Sequence, residues 1–268
     1  MLIKRLLTSI VCIPMIVFIM LSKEIYYSST VLLVSYVGIF EFFKATQIVK
    51  NKFLLFLGNL ICFFVIFFCN KTLKIALFTV FLCVGVILFY FIFINNAKFK
   101  DIFLVIFGNI YIPYMLSYII STRKIEVLGK YFVWFIFLGA FSTDIFAYFG
   151  GKFFGKHKLI PKISPNKTIE GAIIGIIGNI FVFGVFGFLL KKIFNISLNL
   201  LLVFIMGFLT ALAAESGDIV ASIIKRKHKI KDFGSILPGH GGILDRLDSL
   251  IFVAPIVYFF LIHTKIMR

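Results

Sequence analysis

Nine runs of mostly apolar residues recur along the 268-residue chain, roughly at 6–22, 26–46, 53–69, 75–94, 102–120, 131–150, 169–190, 198–222 and 244–263. Each is close to the roughly 20 residues a helix needs to cross a hydrocarbon core of about 30 Å. Within lipid the backbone polar groups must pair inside each segment, which favours helices over open strands. The pattern predicts an all-α integral membrane protein, a polytopic bundle of about nine transmembrane helices. Lys4 and Arg5 precede the first run as they would in a signal peptide, but no small-residue cleavage site follows and more spans do. The run is therefore read as a first transmembrane helix. Pro14 and Pro113 are expected to bend their helices, with Asn109 available to pair freed backbone groups. No internal repeat, long linker or low-complexity tract interrupts the series.

Composition strengthens this picture. The chain is 61% hydrophobic with a mean hydropathy of +1.09, against about 45–50% apolar residues in soluble domains. The excess is spread along the chain, which excludes a soluble domain with one anchor. The formal net charge is +17, and nucleic acid is the first partner such a charge suggests. The bases instead sit in short runs between apolar segments, where they face anionic lipid heads, so no nucleic acid is expected. With the N-terminus inside, eighteen Lys and Arg fall in inner segments and ten in outer ones. That bias predicts N-in and C-out, with the loops around 151–168 and 223–246 in the cytoplasm. Cys12, Cys62, Cys69 and Cys83 lie in apolar N-terminal segments without a CxxC pair. They read as small buried hydrophobes rather than zinc ligands or disulfides.

The acids divide the chain. Only Glu24, Glu41, Asp101 and Glu126 precede residue 140; Asp144, Glu170, Glu215, Asp218, Asp232, Asp245 and Asp248 follow it. Residues 1–130 are accordingly read as a transmembrane scaffold and 131–268 as the catalytic region. Glu41 is the one scaffold acid inside an apolar run. Beside Lys44 and near its helix end, it is expected to reach the interface rather than to carry function.

After the apolar run ending at Ala214 come Glu215, Asp218, Ser222 and Lys225, spaced to share one helical face. A charge at the bilayer centre costs about 2.5–3.5 kcal/mol on insertion scales, so a metal or a Lys/Arg partner must offset these carboxylates. A loop rich in bases and in Gly234, Gly239, Gly241 and Gly242 follows. Glycines allow backbone N–H groups to converge on an anion, a nest suited to phosphate. Asp245, Arg246, Asp248 and Ser249 then open the last helix, with Asp245 and Asp248 on one face. Hard carboxylate oxygens beside basic, glycine-rich backbone are the parts for a divalent metal and a polyphosphate. The bland alternative is an interfacial loop whose acids and bases pair with one another.

Ser222-x-Ile-Lys225-Arg226, Lys231-Asp232-x-Gly234 and Pro238-x-His240-Gly241-Gly242-x-x-Asp245-Arg246-x-Asp248 together resemble the signature of the phosphatidate cytidylyltransferase family. Two shorter elements are similar to that family as well. Ser142-Thr-Asp144-Ile-Phe-Ala-Tyr148-Phe-Gly150 resembles SDxxAYxxG, and Ser164-Pro-Asn-Lys167-Thr168-x-Glu170-Gly171 resembles SPxKTxEG. The resemblance covers roughly residues 140–250, with the signature at 222–248.

It implies a magnesium-dependent enzyme, usually a homodimer, that makes CDP-diacylglycerol and pyrophosphate from CTP and phosphatidate. It implies the inner membrane of a bacterium, with a cytoplasm-facing site. Carried over by motif, Asp218 and Asp245 are the first metal-ligand candidates, with Asp248 and Asp144 next. Lys225, Arg226 and Arg246 join Asp218 and Asp245 as catalytic candidates. Lys167, Ser222, Lys231, His240, Gly241 and Gly242 are the substrate and phosphate candidates, His240 as a hydrogen-bond donor rather than an acid or base. His157, His228 and His263 have no evident partner set. An ion transporter is the rival from another class, but its acids should spread over several spans near the midplane. A CTP-dependent lipid kinase is the rival among enzymes.

Overall fold

The computed structural model describes residues 14–69, 73–93, 98–125, 128–237, 239, 241–264 and 266. After a helical stretch at 14–21 come α1 (Glu24–Ala45), α2 (Lys52–Cys69), α3 (Leu73–Phe93), α4 (Phe99–Asn109) and α5 (Met115–Arg123). Then follow α6 (Gly129–Phe154), β1 (Lys158–Ile160), β2 (Ser164–Thr168), α7 (Ile169–Phe194), α8 (Leu200–Lys227) and α9 (Leu244–His263). Every expected apolar run from the second to the ninth forms a helix; of the first run, residues 14–21 are helical and residues 6–13 lie outside the described residues. Among the described residues seven segments are long and apolar enough to span a membrane, α4 and α5 counting as one segment, Phe99–Arg123. A π-helical turn, Ile110–Tyr114, joins α4 to α5 and contains Pro113. Proline supplies no N–H, so a wider turn relieves the ladder there, and Asn109 Nδ2 donates to Val105 O at 3.0 Å.

The chain forms two compact units. One comprises Met1–Lys124 with Lys227–Leu247, the other Ile125–Arg226 with Asp248–Arg268. In the first unit, two consecutive aromatics at the end of α1 are fully buried, Phe42 and Phe43. Glycines make room for both rings. A Cβ on Gly108 would stand 2.9 Å from Phe42, and one on Gly58 would collide with Phe43. Tilted ring contacts join Phe42 to Phe107 and Tyr111, fixing the last turn of α1 against α4 and the π turn.

In the second unit α6 and α7 form a long antiparallel pair, turned by the β1–β2 hairpin. Their approach rests on small residues, as expected where lipid gives helices no hydrophobic drive to associate. A Cβ on Gly175 would lie 3.0 Å from Ala147 Cβ and 3.1 Å from the Thr143 carbonyl. Asn179 provides polar glue at the same depth. Its Nδ2 donates to Gly207 O (2.6 Å) and Thr210 Oγ1 (3.0 Å) on α8, and its Oδ1 lies 2.6 Å from Ser142 Oγ on α6. One buried amide thus ties three helices with both ends satisfied. Gly139 of α6 is where α9 joins them, a Cβ there standing 3.0 Å from Val253 and 3.3 Å from Thr210.

Gly175→Val should lower the thermal midpoint of the detergent-solubilised protein, since overpacking a tight contact costs about 1–3 kcal/mol. Gly85→Val is the matched control, because a Cβ on Gly85 meets nothing within 4 Å. Equal midpoints for the two variants would refute close packing between α6 and α7.

Candidate active site

The second unit brings together residues from all three family-like elements. Thr168 caps α7, its Oγ1 accepting from Gly171 N at 3.1 Å. Three glycines crowd around it: a Cβ on Gly151, Gly155 or Gly171 would each come within 2.9 Å of its side chain. The threonine and glycine of the Ser164–Gly171 element thus have a packing reason. Glu170 faces back to the hairpin, accepting from the backbone N–H of Lys156 (3.1 Å) and His157 (3.2 Å), with His157 Nδ1 at 2.6 Å. His157 therefore has a partner that the sequence did not suggest.

This capped turn carries Lys167 to α8. Its ammonium donates to Glu215 Oε2 and Asp218 Oδ2, both at 2.8 Å. The two acids stand three residues apart on one helix, so a single lysine reaches both. Burial opposes the lysine's charge, but the Asp218 and Glu215 carboxylates outweigh it and hold the pKa above its ordinary value. Lys167 is thus a fixed cation at neutral pH. Glu215, noted in the helical stripe but not among the expected site residues, is half of this clamp.

Asp144 of α6 accepts from Ser249 Oγ on α9, at 3.3 and 3.2 Å to its two oxygens. Asp218 and Asp248 lie near enough for their charges to bear on Asp144, and Lys167 partly compensates. Asp248 and Ser249 are buried, and Asp248 Oδ1 accepts from the Ser249 N–H at 3.0 Å. Gly217 lets α8 approach this point, for a Cβ there would strike the Asp248 carbonyl and stand 3.1 Å from Phe252. Among the described residues no three His, Cys, Asp or Glu side chains form a ready metal cage. The donor set still fits magnesium, which takes one or two carboxylates and completes its shell with water and substrate phosphates. Further along α8, Ser222 and Lys225 are half-buried, while exposed Arg226 donates from Nε to Ile163 O at 3.2 Å.

The glycine loop belongs to the first unit. There the expected nest is filled by the protein's own carboxylates. Asp245 Oδ2 accepts from Phe233 N (2.8 Å) and Gly242 N (3.0 Å); Glu41 accepts from Ile243 N (3.2 Å) and Leu244 N (2.8 Å). Glu41 is buried, which corrects the expectation that it reaches the interface. It joins α1 to the N-terminus of α9, where a negative charge is favoured by the exposed N–H groups and the helix dipole. Gly234 and Gly242 pack directly on this carboxylate; a Cβ on either would clash with it. The turn itself is closed by Leu237 N donating to Gly241 O (2.9 Å), with Gly239 and Gly241 at φ +81° and +83°. That region admits glycine without strain. Lys231 and Arg246 are exposed, Gly241 is half-buried, and His240 lies outside the described residues. Arg246 stands between Asp245 and Asp248 on α9.

Comparison with known proteins extends this picture over the chain. A model of the cytidylyltransferase family matches residues 3–263. A Bacillus subtilis protein named phosphatidate cytidylyltransferase is 36% identical over 190 residues, 70% of this chain and 68% of its own length. Proteins of the same name from Staphylococcus saprophyticus and Rickettsia felis are 41% and 37% identical. Those alignments cover 63% and 61% of this chain, and 62% and 73% of the relatives. The aligned region thus spans roughly two thirds of these curated relatives. With the family match running through both units, and through the acids, the lysine and the glycine loop described above, the chain belongs to the cytidylyltransferase family, a family of nucleotidyltransferases.

Proposed function

We propose that this protein transfers the cytidylyl group of CTP to phosphatidate, forming CDP-diacylglycerol and pyrophosphate for phospholipid biosynthesis. One observation carries the reading. Elements that the sequence separates by 20–50 residues converge in one unit, with Lys167 on Asp218 and with Asp144, Asp248 and Asp218 in one electrostatic cluster. The relatives named phosphatidate cytidylyltransferase give the substrate pair.

In this mechanism a phosphate oxygen of phosphatidate attacks the α-phosphorus of CTP. The new O–P bond forms as the bond from the α-phosphorus to the bridging β oxygen breaks, and the electron pair leaves with pyrophosphate. The nucleophile is ionised at neutral pH, so no strong base is required. The obstacle is the approach of two anions, which fixed positive charge lowers. Lys225, Arg226 and Arg246 would hold lipid phosphate and departing pyrophosphate, while Lys167 keeps Asp218 and Glu215 in place. Ser222, Lys231 and His240 would line the phosphates, while Gly241 and Gly242 would serve them by shaping the loop, the Gly242 N–H being already given to Asp245. Magnesium, held by Asp218 with Asp144 and Asp248, would supply Lewis-acid neutralisation of the phosphate oxygens. Glu41 acts at one remove, fixing the glycine loop and the start of α9. The working form is proposed to be a homodimer in a bacterial inner membrane, with the N-terminus and the site on the cytoplasmic side.

CTP labelled at the α or at the γ phosphorus, supplied with phosphatidate and magnesium, separates this reaction from a kinase. Lipid label is expected from the α position alone, with chelation of magnesium abolishing it; lipid label from the γ position would establish phosphoryl transfer instead.

Two variants test the separate roles of the acids. Asp218→Asn should fold normally and lose more than about nine tenths of its rate, a barrier change above roughly 1.4 kcal/mol. Glu41→Ala should lose both rate and thermal stability, since unmet buried N–H groups cost about 1–3 kcal/mol. Glu41→Gln, which keeps one acceptor oxygen, should recover part of each. An Asp218→Asn enzyme at wild-type rate, or a Glu41→Ala protein as stable as wild type, would remove the assigned role.

Topology is tested in intact cells with an impermeant thiol reagent and cysteines placed one at a time. Lys158→Cys should be labelled only after the membrane is opened, and Lys192→Cys from outside; the reverse pattern would put the site away from cytoplasmic CTP.

A further inference from the structure

The first unit holds a second polar feature that no part of the proposed reaction uses. A cleft of about 780 Å³ lies where several helices end, lined by Thr46, Gln47, Asn51, His228, Asp101 and six lysines. The lysines are Lys50, Lys52, Lys98, Lys100, Lys227 and Lys229. None of the proposed metal, catalytic or phosphate-binding residues lines it. Six ammonium groups face one carboxylate, so the cleft carries a large positive surplus whose mutual repulsion an anion would relieve. Two helices begin here, α2 at Lys52 and α4 at Phe99, and two end here, α1 at Ala45 and α8 at Lys227, so the helix dipoles offset one another and the positive potential is that of the lysines. α4 starts without a side-chain cap on its N–H groups.

The two helices that end at this place do so in the same way. Gln47 and Lys229, both lining residues, hold φ of 65° and 57°. Each is the left-handed residue just past a helix C-terminus, so the chain turns over at the ends of α1 and α8 here.

The flanks identify the kind of anion. Phe53 and Phe56 on α2, and Phe99 and Phe103 on α4, are exposed large aromatics beginning beside Lys52 and Lys98 and continuing down both helices. Cations at the ends of membrane-spanning segments, with apolar surface running away from them along those segments, match a molecule with a phosphate head and acyl chains. A free nucleotide or inorganic phosphate would make no use of the aromatic flank. We propose that this cleft binds the phosphate head group of an anionic membrane phospholipid, at a site whose residues are separate from those of the proposed reaction.

The test needs neither CTP nor turnover, so it stands apart from the proposed activity. The full-length protein, delipidated in detergent, is titrated with phosphatidylglycerol and with phosphatidylcholine of the same chains, and bound lipids are counted by native mass spectrometry. Phosphatidylglycerol should bind more tightly than phosphatidylcholine. The combined variant Lys50→Gln, Lys98→Gln and Lys229→Gln should weaken phosphatidylglycerol binding by about tenfold or more, as expected for lysines at an anionic lipid. Asp101→Asn, which removes the one carboxylate, should tighten it. The control Lys191→Gln with Lys192→Gln, at the end of α7, should change nothing. Equal binding of the two lipids, equal loss in the control, or unchanged binding in both cleft variants would overturn the proposal. Displacement of the lipid by inorganic phosphate would assign the cleft to free anions instead.

Discussion

A carboxylate on an apolar span has little water to rely on, so each buried or half-buried acid must be met by donors fixed within the protein. Both units are organised by that requirement, and they meet it differently. In the second unit the donor is a lysine, brought by a capped β-hairpin to two acids on α8. In the first unit the donors are backbone N–H groups, four of them shared between Glu41 and Asp245. Glycines matter in both places for the same reason. They remove the Cβ atoms that would keep the acid, the hydroxyl cap or the neighbouring helix away, as at Gly171, Gly234 and Gly242.

These two solutions carry different chemical potential. The Lys167 cluster gathers Glu215 and Asp218 around one ammonium, with Asp144 close by, the donor set to which a cation is assigned in the proposed reaction. The Glu41 and Asp245 clamps meet acids with neutral dipoles and shape the loop that carries the glycine part of the signature. Asp245 is in both descriptions, a metal candidate by motif and a loop clamp by hydrogen bonding.

The helices were readable from the sequence because spanning length is a strong, local signal, and eight of the nine runs correspond closely to helices in the described residues. The signature acids were readable because their types and spacings are chemically specific. The partner of Glu41 was not. Its donors are backbone groups of Ile243 and Leu244, about two hundred positions away, and no side-chain pattern announces a backbone donor. Asn179 was missed for a related reason: a lone amide in an apolar helix reads as packing until Ser142 and Thr210 are seen beside it. The converging N–H groups of the glycine loop were expected to face phosphate. Sequence can reveal that a nest forms without revealing which anion fills it.

The bond between Glu41 and Leu244 links positions separated by 203 residues, which bears on how the protein is made. At about 5–20 residues per second, a ribosome delivers α1 roughly 10–40 s before the donors of α9 exist. Through that interval Glu41 is a carboxylate on an inserted span with its final partners still unsynthesised. The glycine loop likewise lacks the Asp245 carboxylate that ties Phe233 to Gly242 until the start of α9 is made. Completion of the first unit therefore waits for the last helix, and chains arrested before it would lack the closed loop.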